Sequence, residues 1–289
     1  MTPNDDFSWK PVRLEFDKGV SHVLLQQHHA AQFIALVGRH MILQQADDSN
    51  TNMQYQMGRE WIIGNELPGG MRIALQLPGM NLLIIDKDYN WICEIGLEGK
   101  TKEQVFELLK QTLLDLHLNV SKFSNELHYT LPAHELDEDV AFSVADQKYI
   151  QENIIYRHNA EIVLNKMAGN FEKADPVRIW PHHFDTGSII PLEYNAKGGV
   201  SQSIGMGWAI PDTMINEPYY YLSFWFENPI VDIKELPAPE AGEWIKSGWN
   251  GAVLKNSDIV KISSSEGQQE FVELFFESGI KILKDHNNK

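Results

Sequence analysis

The chain has 289 residues, of which 24 are lysine or arginine and 40 are aspartate or glutamate, so its formal net charge is −16. Hydrophobic residues make up 43% of the chain, which predicts a packed core and excludes wholesale disorder. The acidic excess counts against binding to nucleic acid or to an anionic membrane surface, because both need clustered lysine and arginine. A chain of this length can fold without disulfides or a structural metal.

The single cysteine, Cys93, excludes an intrachain disulfide. The first residues are acidic and polar, unlike a signal peptide. The longest apolar stretch, residues 219–226, is far shorter than the roughly 20 residues of a membrane span. We therefore expect a cytoplasmic protein that does not enter a membrane. The sequence does not indicate an oligomeric state.

The first half of the chain combines a helix with short strands. Residues 9–16 alternate weakly and predict an opening strand, and apolar residues at helical spacing predict a first helix over 20–40. Short runs of period two then end at turn residues, which is typical of an antiparallel meander. These runs are 61–63, 71–77, 81–85 and 89–95.

Three later helices have start signals, in which a polar residue precedes a glutamine or an aspartate by three positions. The pairs are Thr101 with Gln104, Ser143 with Asp146, and Ser265 with Gln268. A second group of predicted strands comprises 177–185, 199–210, 217–226 and 249–254. Because regular helical crossovers are missing, we expect an α+β fold in which two antiparallel β-meander regions pack with about four helices. The halves, 1–170 and 171–289, either form two subdomains or share one compact domain.

The segment Arg-Ile-Trp-Pro-His-His-Phe-Asp has the highest concentration of reactive side chains. An extended chain would place Trp180, His182 and Phe184 on one face, and His183 and Asp185 on the other. His183 could then be a general base whose imidazole is oriented by Asp185. Alternatively, the two could hold a metal with a third ligand from His28, His29, His134, His158, Asp212 or Glu217. A purely structural histidine pair is the third interpretation.

An aromatic strand could form a pocket wall beside these histidines. Gly205 and Gly207 would leave a groove, or admit a bulky neighbour such as Trp180. Tyrosine and tryptophan offer apolar area together with a polar tip, which suits a ligand pocket. The candidate substrate-binding residues are therefore Arg178, Trp180, Trp208, Tyr219 and Tyr221. The alternative is that the aromatic strand only packs against helices.

Several short motifs carry a family resemblance. They are Gly38-Arg39 after a histidine-bearing helix, Phe184-Asp185, the run Pro218-Tyr219-Tyr220-Tyr221, and Gly242-Glu243-Trp244. Together they resemble, distantly, an uncharacterised family of bacterial cytoplasmic proteins of unknown function. The resemblance covers most of the chain and implies an arrangement of elements rather than a reaction. His182 and His183 depart from that family's pattern, which has small residues there.

These observations lead to three hypotheses. The first is a small-molecule enzyme, a hydrolase, in which His182, His183 and Asp185 perform acid–base or metal-assisted chemistry in an aromatic cleft. A divalent metal is the only cofactor that this hypothesis considers. The second is a non-catalytic protein that binds a small molecule in the same cleft. The third is an interaction scaffold that presents the prolines at 229, 237 and 239.

Overall fold

The computed structural model describes residues 7–143, 146–227 and 233–287. This part of the chain has an α+β fold with antiparallel strand pairing, as the sequence predicted. The helices are α1 (Lys18–Met41), α2 (Lys102–Asp115), α3 (Gln147–Ala168), α4 (Asn256–Ile259) and α5 (Ser265–Asn287). The strands are β1 (Met53–Gln56), β2 (Trp61–Gly64), β3 (Arg72–Gln76), β4 (Asn81–Ile85), β5 (Trp91–Gly96), β6 (Arg178–Trp180), β7 (Asp185–Tyr194), β8 (Val200–Ala209), β9 (Tyr219–Phe226), β10 (Glu243–Ile245) and β11 (Gly251–Lys255).

The strands follow one hydrogen-bonded order, β10-β11-β9-β8-β7-β6-β1-β2-β3-β4-β5. The expectation of two separate meanders is therefore wrong in this detail. Alternating apolar residues identify a strand and its buried face, but they do not specify which strand pairs with a free edge.

By Cα proximity, the described chain also divides into two compact units. Unit 1 contains Lys18–Ile154 and Ile179–Phe184. Unit 2 contains Phe7–Asp17, Ile155–Arg178 and the described part of Asp185–Lys289.

In unit 1, α1 packs closely against the sheet. Gly64 on β2 permits this approach, because a Cβ at that position would lie 2.5 Å from Ile34 Cγ2. Met53 of β1 pairs with Ile179 of β6. Gly38 lies within α1, and a Cβ there would lie 2.4 Å from the Asn50 carbonyl oxygen. This glycine therefore serves close packing rather than helix termination.

Helix α1 also buries an unusual number of polar side chains. The buried polar residues are Gln26, Gln27, His28, His29 and Gln32. Lys102 Nζ lies 3.4 Å from His29 Nδ1 and 2.6 Å from Asp137 Oδ1. Burial, together with the nearby positive charge of Lys102, lowers the pKa of His29 to about 4. His29 is therefore a neutral imidazole that accepts a hydrogen bond from an ammonium group, rather than a cation.

In unit 2, the predicted opening strand does not form. Asn159 Oδ1 accepts from the Lys10 amide at 2.9 Å, and Asn159 Nδ2 donates to the Lys10 carbonyl at 2.7 Å. Gln268 contacts Val12 in the same way, at 2.8 and 2.9 Å. Two helix side chains therefore satisfy the backbone groups that a neighbouring strand would otherwise satisfy.

In unit 2, α5 packs against strands β9 and β11. A Cβ on Gly279 would lie 2.4 Å from Leu222 Cδ1, so the helix and β9 are in close contact. The Phe276 ring meets the Tyr220 ring edge-on, with centroids 5.9 Å apart. Tyr220 and Leu222 thus belong to the core.

Of the three N-terminal caps predicted from the sequence, the structure confirms one and corrects the other two. Thr101 and Gln104 form the predicted capping box of α2. Ser264 Oγ, rather than Ser265, accepts from the Gly267 amide at the start of α5. At α3, Asp146 Oδ1 accepts from the Lys148 amide. Ser143, the predicted cap, instead lies 3.0 Å from His22 Nε2. None of the described helices is both long and apolar enough to cross a lipid bilayer.

The proline-rich segment is only partly described. Pro229 lies outside the described residues. Pro237 is exposed, but Pro239 is buried, so the expectation of an exposed proline is wrong at that position. Trp244 Nε1 donates to the Pro237 carbonyl at 2.8 Å. This hydrogen bond connects the proline-rich segment to β10. It therefore does not favour the hypothesis that the segment is an unattached stretch that presents its prolines to a partner.

We expect His29→Gln to flatten the dependence of stability on pH. The unfolded chain binds a proton at His29 below about pH 6.5, whereas the folded chain does so only near pH 4. The wild-type free energy of unfolding should therefore fall by up to about 3 kcal/mol through this group as the pH is lowered across that window. Urea unfolding at several pH values measures the effect. His40→Gln on the same helix is the control, and identical pH profiles for His29→Gln and wild type would contradict the assignment.

Candidate functional site

Residues 181–184 form a turn rather than the predicted extended strand. The Phe184 amide donates to the Trp180 carbonyl at 2.7 Å. Phe184 has a φ of 55°, a left-handed conformation that bulky residues rarely adopt. The expected alternation of side chains is therefore wrong: Pro181 and Phe184 are buried, whereas His182 and His183 are exposed. Pro181 has no amide proton for a strand partner, which explains why β6 ends before it.

Two side chains of α1 hold this turn at one backbone oxygen. His28 Nε2 donates to the Pro181 carbonyl at 2.9 Å, and Gln32 Nε2 donates to the same oxygen at 3.0 Å. The Phe184 ring stacks on His28, with centroids 5.2 Å apart and planes 7° apart. His28 and Gln32 are four positions apart and share one helix face. The backbone of the turn is therefore fixed from the buried side.

Tyr129 is a further partner of this helix face. Its hydroxyl donates to Gln32 Oε1 at 2.7 Å, while Gln32 Nε2 also donates to the His28 carbonyl at 2.9 Å. Burial raises the pKa of Tyr129 well above its ordinary value. The phenol therefore remains a proton donor, and Gln32 connects the helix, the turn and Tyr129.

Four rings follow one another at the surface of unit 1. The His128 and Tyr129 centroids are 4.9 Å apart, those of Tyr129 and His182 are 5.9 Å apart, and those of His182 and His183 are 4.4 Å apart. We call His128, Tyr129, His182 and His183 the ring row. The two exposed histidines of the turn thus belong to a continuous aromatic surface.

In unit 2, the structure brings Asp185 and Tyr221 together. The Tyr221 hydroxyl donates to Asp185 Oδ2 at 2.6 Å. Burial, followed by the negative charge of Asp185, raises the pKa of Tyr221. The Tyr221 side chain lies across two glycines. A Cβ added to Gly187 would lie 2.8 Å from the Tyr221 hydroxyl oxygen, and a Cβ added to Gly207 would lie 2.5 Å from it. The space that Gly207 leaves is therefore occupied by Tyr221 rather than by Trp180.

The other aromatic candidates of unit 2 are packed. At Gly205, the predicted groove is filled by Ser223, whose Oγ would lie 2.4 Å from an added Cβ. Tyr219 is buried, and its hydroxyl donates to Asp212 Oδ2 at 2.7 Å. Trp208 is only 1% exposed, and the Arg157 guanidinium lies 4.8 Å from its ring centroid. Trp208 is thus a core residue and does not line an open cleft.

The two remaining predicted binding residues are partly buried. In unit 1, Trp180 is half-buried. In unit 2, Arg178 donates to the Val177 carbonyl at 2.8 Å, and burial lowers the pKa of its guanidinium while the charge of Glu161 opposes that effect. Burial also raises the pKa of Glu161 to about 7. Arg178 therefore has a nearby acidic group within the protein, independent of any substrate.

The metal-assisted hypothesis requires three convergent ligands. Within residues 7–143, 146–227 and 233–287, no group of three histidine, cysteine, aspartate or glutamate side chains could hold a metal ion. Two of the proposed third ligands make other contacts: His158 Nε2 lies 2.9 Å from the Ser8 carbonyl, and Glu217 accepts from the amide and hydroxyl of Ser257. The described geometry therefore favours hydrogen bonding over metal coordination at the turn.

Sequence reasoning missed Tyr129 and the buried role of its partner Gln32. Tyr129 lies in a polar segment without regular periodicity, so no pattern pointed to it. His28 and Gln32 did have a detectable signal, because polar side chains at i and i+4 that lie beside an apolar stripe require buried partners. The identity of that partner, a proline carbonyl about 150 positions away, has no signature in the sequence.

Comparison with known proteins does not assign the chain to a family. No family model matches it, and no curated protein or solved structure shows significant similarity to it.

We expect Gln32→Met to lower the free energy of unfolding by about 2–4 kcal/mol, because it removes a donor to the Pro181 carbonyl and leaves the Tyr129 hydroxyl without its acceptor. Side-chain NMR signals of His182 and His183 should broaden or shift as the turn loosens. Urea unfolding measures the stability change. Gln111→Met, at an exposed helix position, should stay within about 0.5 kcal/mol of wild type. Equal losses in the two variants would show that the turn is not held by Gln32.

Proposed function

We propose that the protein binds a small polar molecule at the ring row of unit 1. The observation that carries this proposal is the double hydrogen bond to the Pro181 carbonyl, which fixes a turn bearing two exposed imidazoles. Side chains that bind ligands are commonly found on loops that a rigid scaffold positions. A cytoplasmic location, no contact with nucleic acid, and membership of the uncharacterised bacterial family are part of the same proposal.

The conformation of Phe184 supports a functional role for the turn. A left-handed backbone at a residue of this size costs on the order of 1–3 kcal/mol, and such residues cluster at ligand sites. The buried stacking of Phe184 on His28 offsets that cost. The left-handed conformation of Phe184 allows the adjacent imidazoles of His182 and His183 both to reach solvent.

The chemistry of the ring row indicates the kind of ligand. Each imidazole can donate or accept a hydrogen bond through its two ring nitrogens. The Tyr129 phenol is committed to Gln32, so Tyr129 offers its ring rather than its hydroxyl. A ligand with hydrogen-bonding groups and a flat portion matches this surface.

The binding proposal is tested with a double variant, His182→Ala with His183→Ala. A library of small polar metabolites is screened by thermal shift against wild type, and the affinities of the hits are then measured by calorimetry. We expect the double variant to bind the hits at least tenfold more weakly, because both imidazoles are lost from an otherwise intact surface.

The control for that screen is His117→Asn, an exposed histidine in a left-handed conformation that asparagine tolerates. It should bind the hits as wild type does. Urea unfolding should show that both variants remain folded, since all three histidines are exposed. Hits that bind the double variant and wild type equally well would place the ligand elsewhere.

A hydrolase is the second candidate. The observation that favours it is that both imidazoles reach solvent, where water and a substrate can meet them. In this mechanism His183 removes a proton from water, and general-base catalysis of this type contributes about 10²–10⁴-fold to the rate.

Turnover of generic esters, amides and phosphoesters tests the hydrolase hypothesis. We expect His183→Ala to reduce the rate about 100-fold or more. Asp185→Asn separately tests the carboxylate that the sequence analysis assigned to the site, because an amide oxygen can still accept from Tyr221. Undiminished turnover in His183→Ala would rule out His183 as the base.

A further inference from the structure

Arg39 lies on the same face of α1 as His28 and Gln32. It follows His28 by eleven positions and Gln32 by seven. These spacings are close to three and two full turns of an α-helix, so the three residues project from it in nearly the same direction. Arg39 is half-buried, and its Nε is a buried atom without a hydrogen-bond partner among the described residues. A guanidinium has five donors in a fixed planar arrangement, and at least the donor on Nε is therefore unused within the described protein.

An unpaired arginine is unexpected in this chain. Acidic side chains outnumber basic ones by 40 to 24, so carboxylates that could pair with an arginine are plentiful. Leaving a buried polar donor unsatisfied costs about 1–3 kcal/mol, and more when the group is charged. Such a group in a native protein calls for an explanation, and a bound ion is one of the recognised explanations.

Arg39 and the ring row are connected through one face of α1. Arg39 lies about two helical turns after Gln32 on that face, and the Oε1 atom of Gln32 accepts a hydrogen bond from the Tyr129 hydroxyl. Burial raises the pKa of Tyr129, and the positive charge of Arg39 opposes this rise, which agrees with that placement. Asp48 already has a partner within the protein, since its Oδ2 lies 3.1 Å from His128 Nε2. Tyr129 is therefore connected to the Arg39 face of α1 through Gln32, and its ring also lies beside that of His182, with centroids 5.9 Å apart.

The backbone at Arg39 is also held in place. Asn50 Nδ2 donates to the carbonyl of Gly38 at 3.1 Å, and the absence of a side chain on Gly38 lets the Asn50 backbone approach. The end of α1 is therefore fixed to the loop that follows it. A guanidinium on a fixed backbone is preorganised, which reduces the entropy lost when it binds a ligand.

We propose that the ligand of the ring row carries a carboxylate or phosphate group, and that Arg39 binds this group. The inference rests on the proposed function, because it identifies the chemical class of the ligand at that same surface. Carboxylate and phosphate oxygens match the planar donors of a guanidinium and can bind two of them at once. The remaining polar groups of the same ligand would contact the exposed imidazoles of the ring row.

The test uses inorganic phosphate and acetate as probes, with the full chain. NMR follows the Nε–Hε signal of Arg39 during each titration, and calorimetry gives the affinities. We expect phosphate, acetate or both to shift that signal in wild type. Arg39→Gln should bind the active probe at least tenfold more weakly, and Arg39→Lys should be intermediate, because lysine keeps the charge but loses the planar pair of donors.

Lys87→Gln is the matched control, since it removes one positive charge from an exposed turn of the same unit. It should bind the probes as wild type does. An unshifted Arg39 signal with both probes, or an unchanged affinity in Arg39→Gln, would overturn the inference. Neither result would affect the screen against His182→Ala with His183→Ala. A neutral ligand found in that screen would therefore uphold the proposed function while rejecting the anionic class.

Discussion

The carbonyl oxygen of Pro181 accepts two hydrogen bonds from one face of α1, and the candidate site depends on this interaction. Proline ends the strand and contributes no amide proton, so its carbonyl is the group by which the turn can be held. His28 and Gln32 supply both donors from buried positions. The same Gln32 accepts from Tyr129, so one side chain positions both the turn and the ring beside it.

The same principle recurs in unit 2. Asn159 and Gln268 pair with the backbone of an extended segment as a neighbouring strand would. Buried amide side chains thus satisfy backbone groups where regular secondary structure is absent, which explains why so many polar residues of α1 and α3 lie in the interior. The cost is that truncating one of these side chains leaves several buried groups without partners.

The aromatic strand β9 shows a different use of small residues. Gly187 and Gly207 lie on neighbouring strands at paired positions, and both face Tyr221. The tyrosine ring fills the space above them and reaches Asp185. A pattern of glycines that suggested an open groove is instead the means by which an aromatic side chain lies flat on the sheet. The surface available to a ligand in unit 1 is consequently built from histidines rather than from this tyrosine-rich strand.

The sequence by itself determined the α+β class, the extent of α1, most strands and the capping box at Thr101, because these follow from local hydrophobic periods and local hydrogen bonds. It also singled out His182 and His183 as an unusual pair. Only the tertiary structure decided that these residues lie on a turn, that Tyr129 lies beside them, and that Tyr221 fills the glycine groove. Each of those outcomes depends on contacts between distant positions, and the local pattern around a residue does not encode which distant group will reach it.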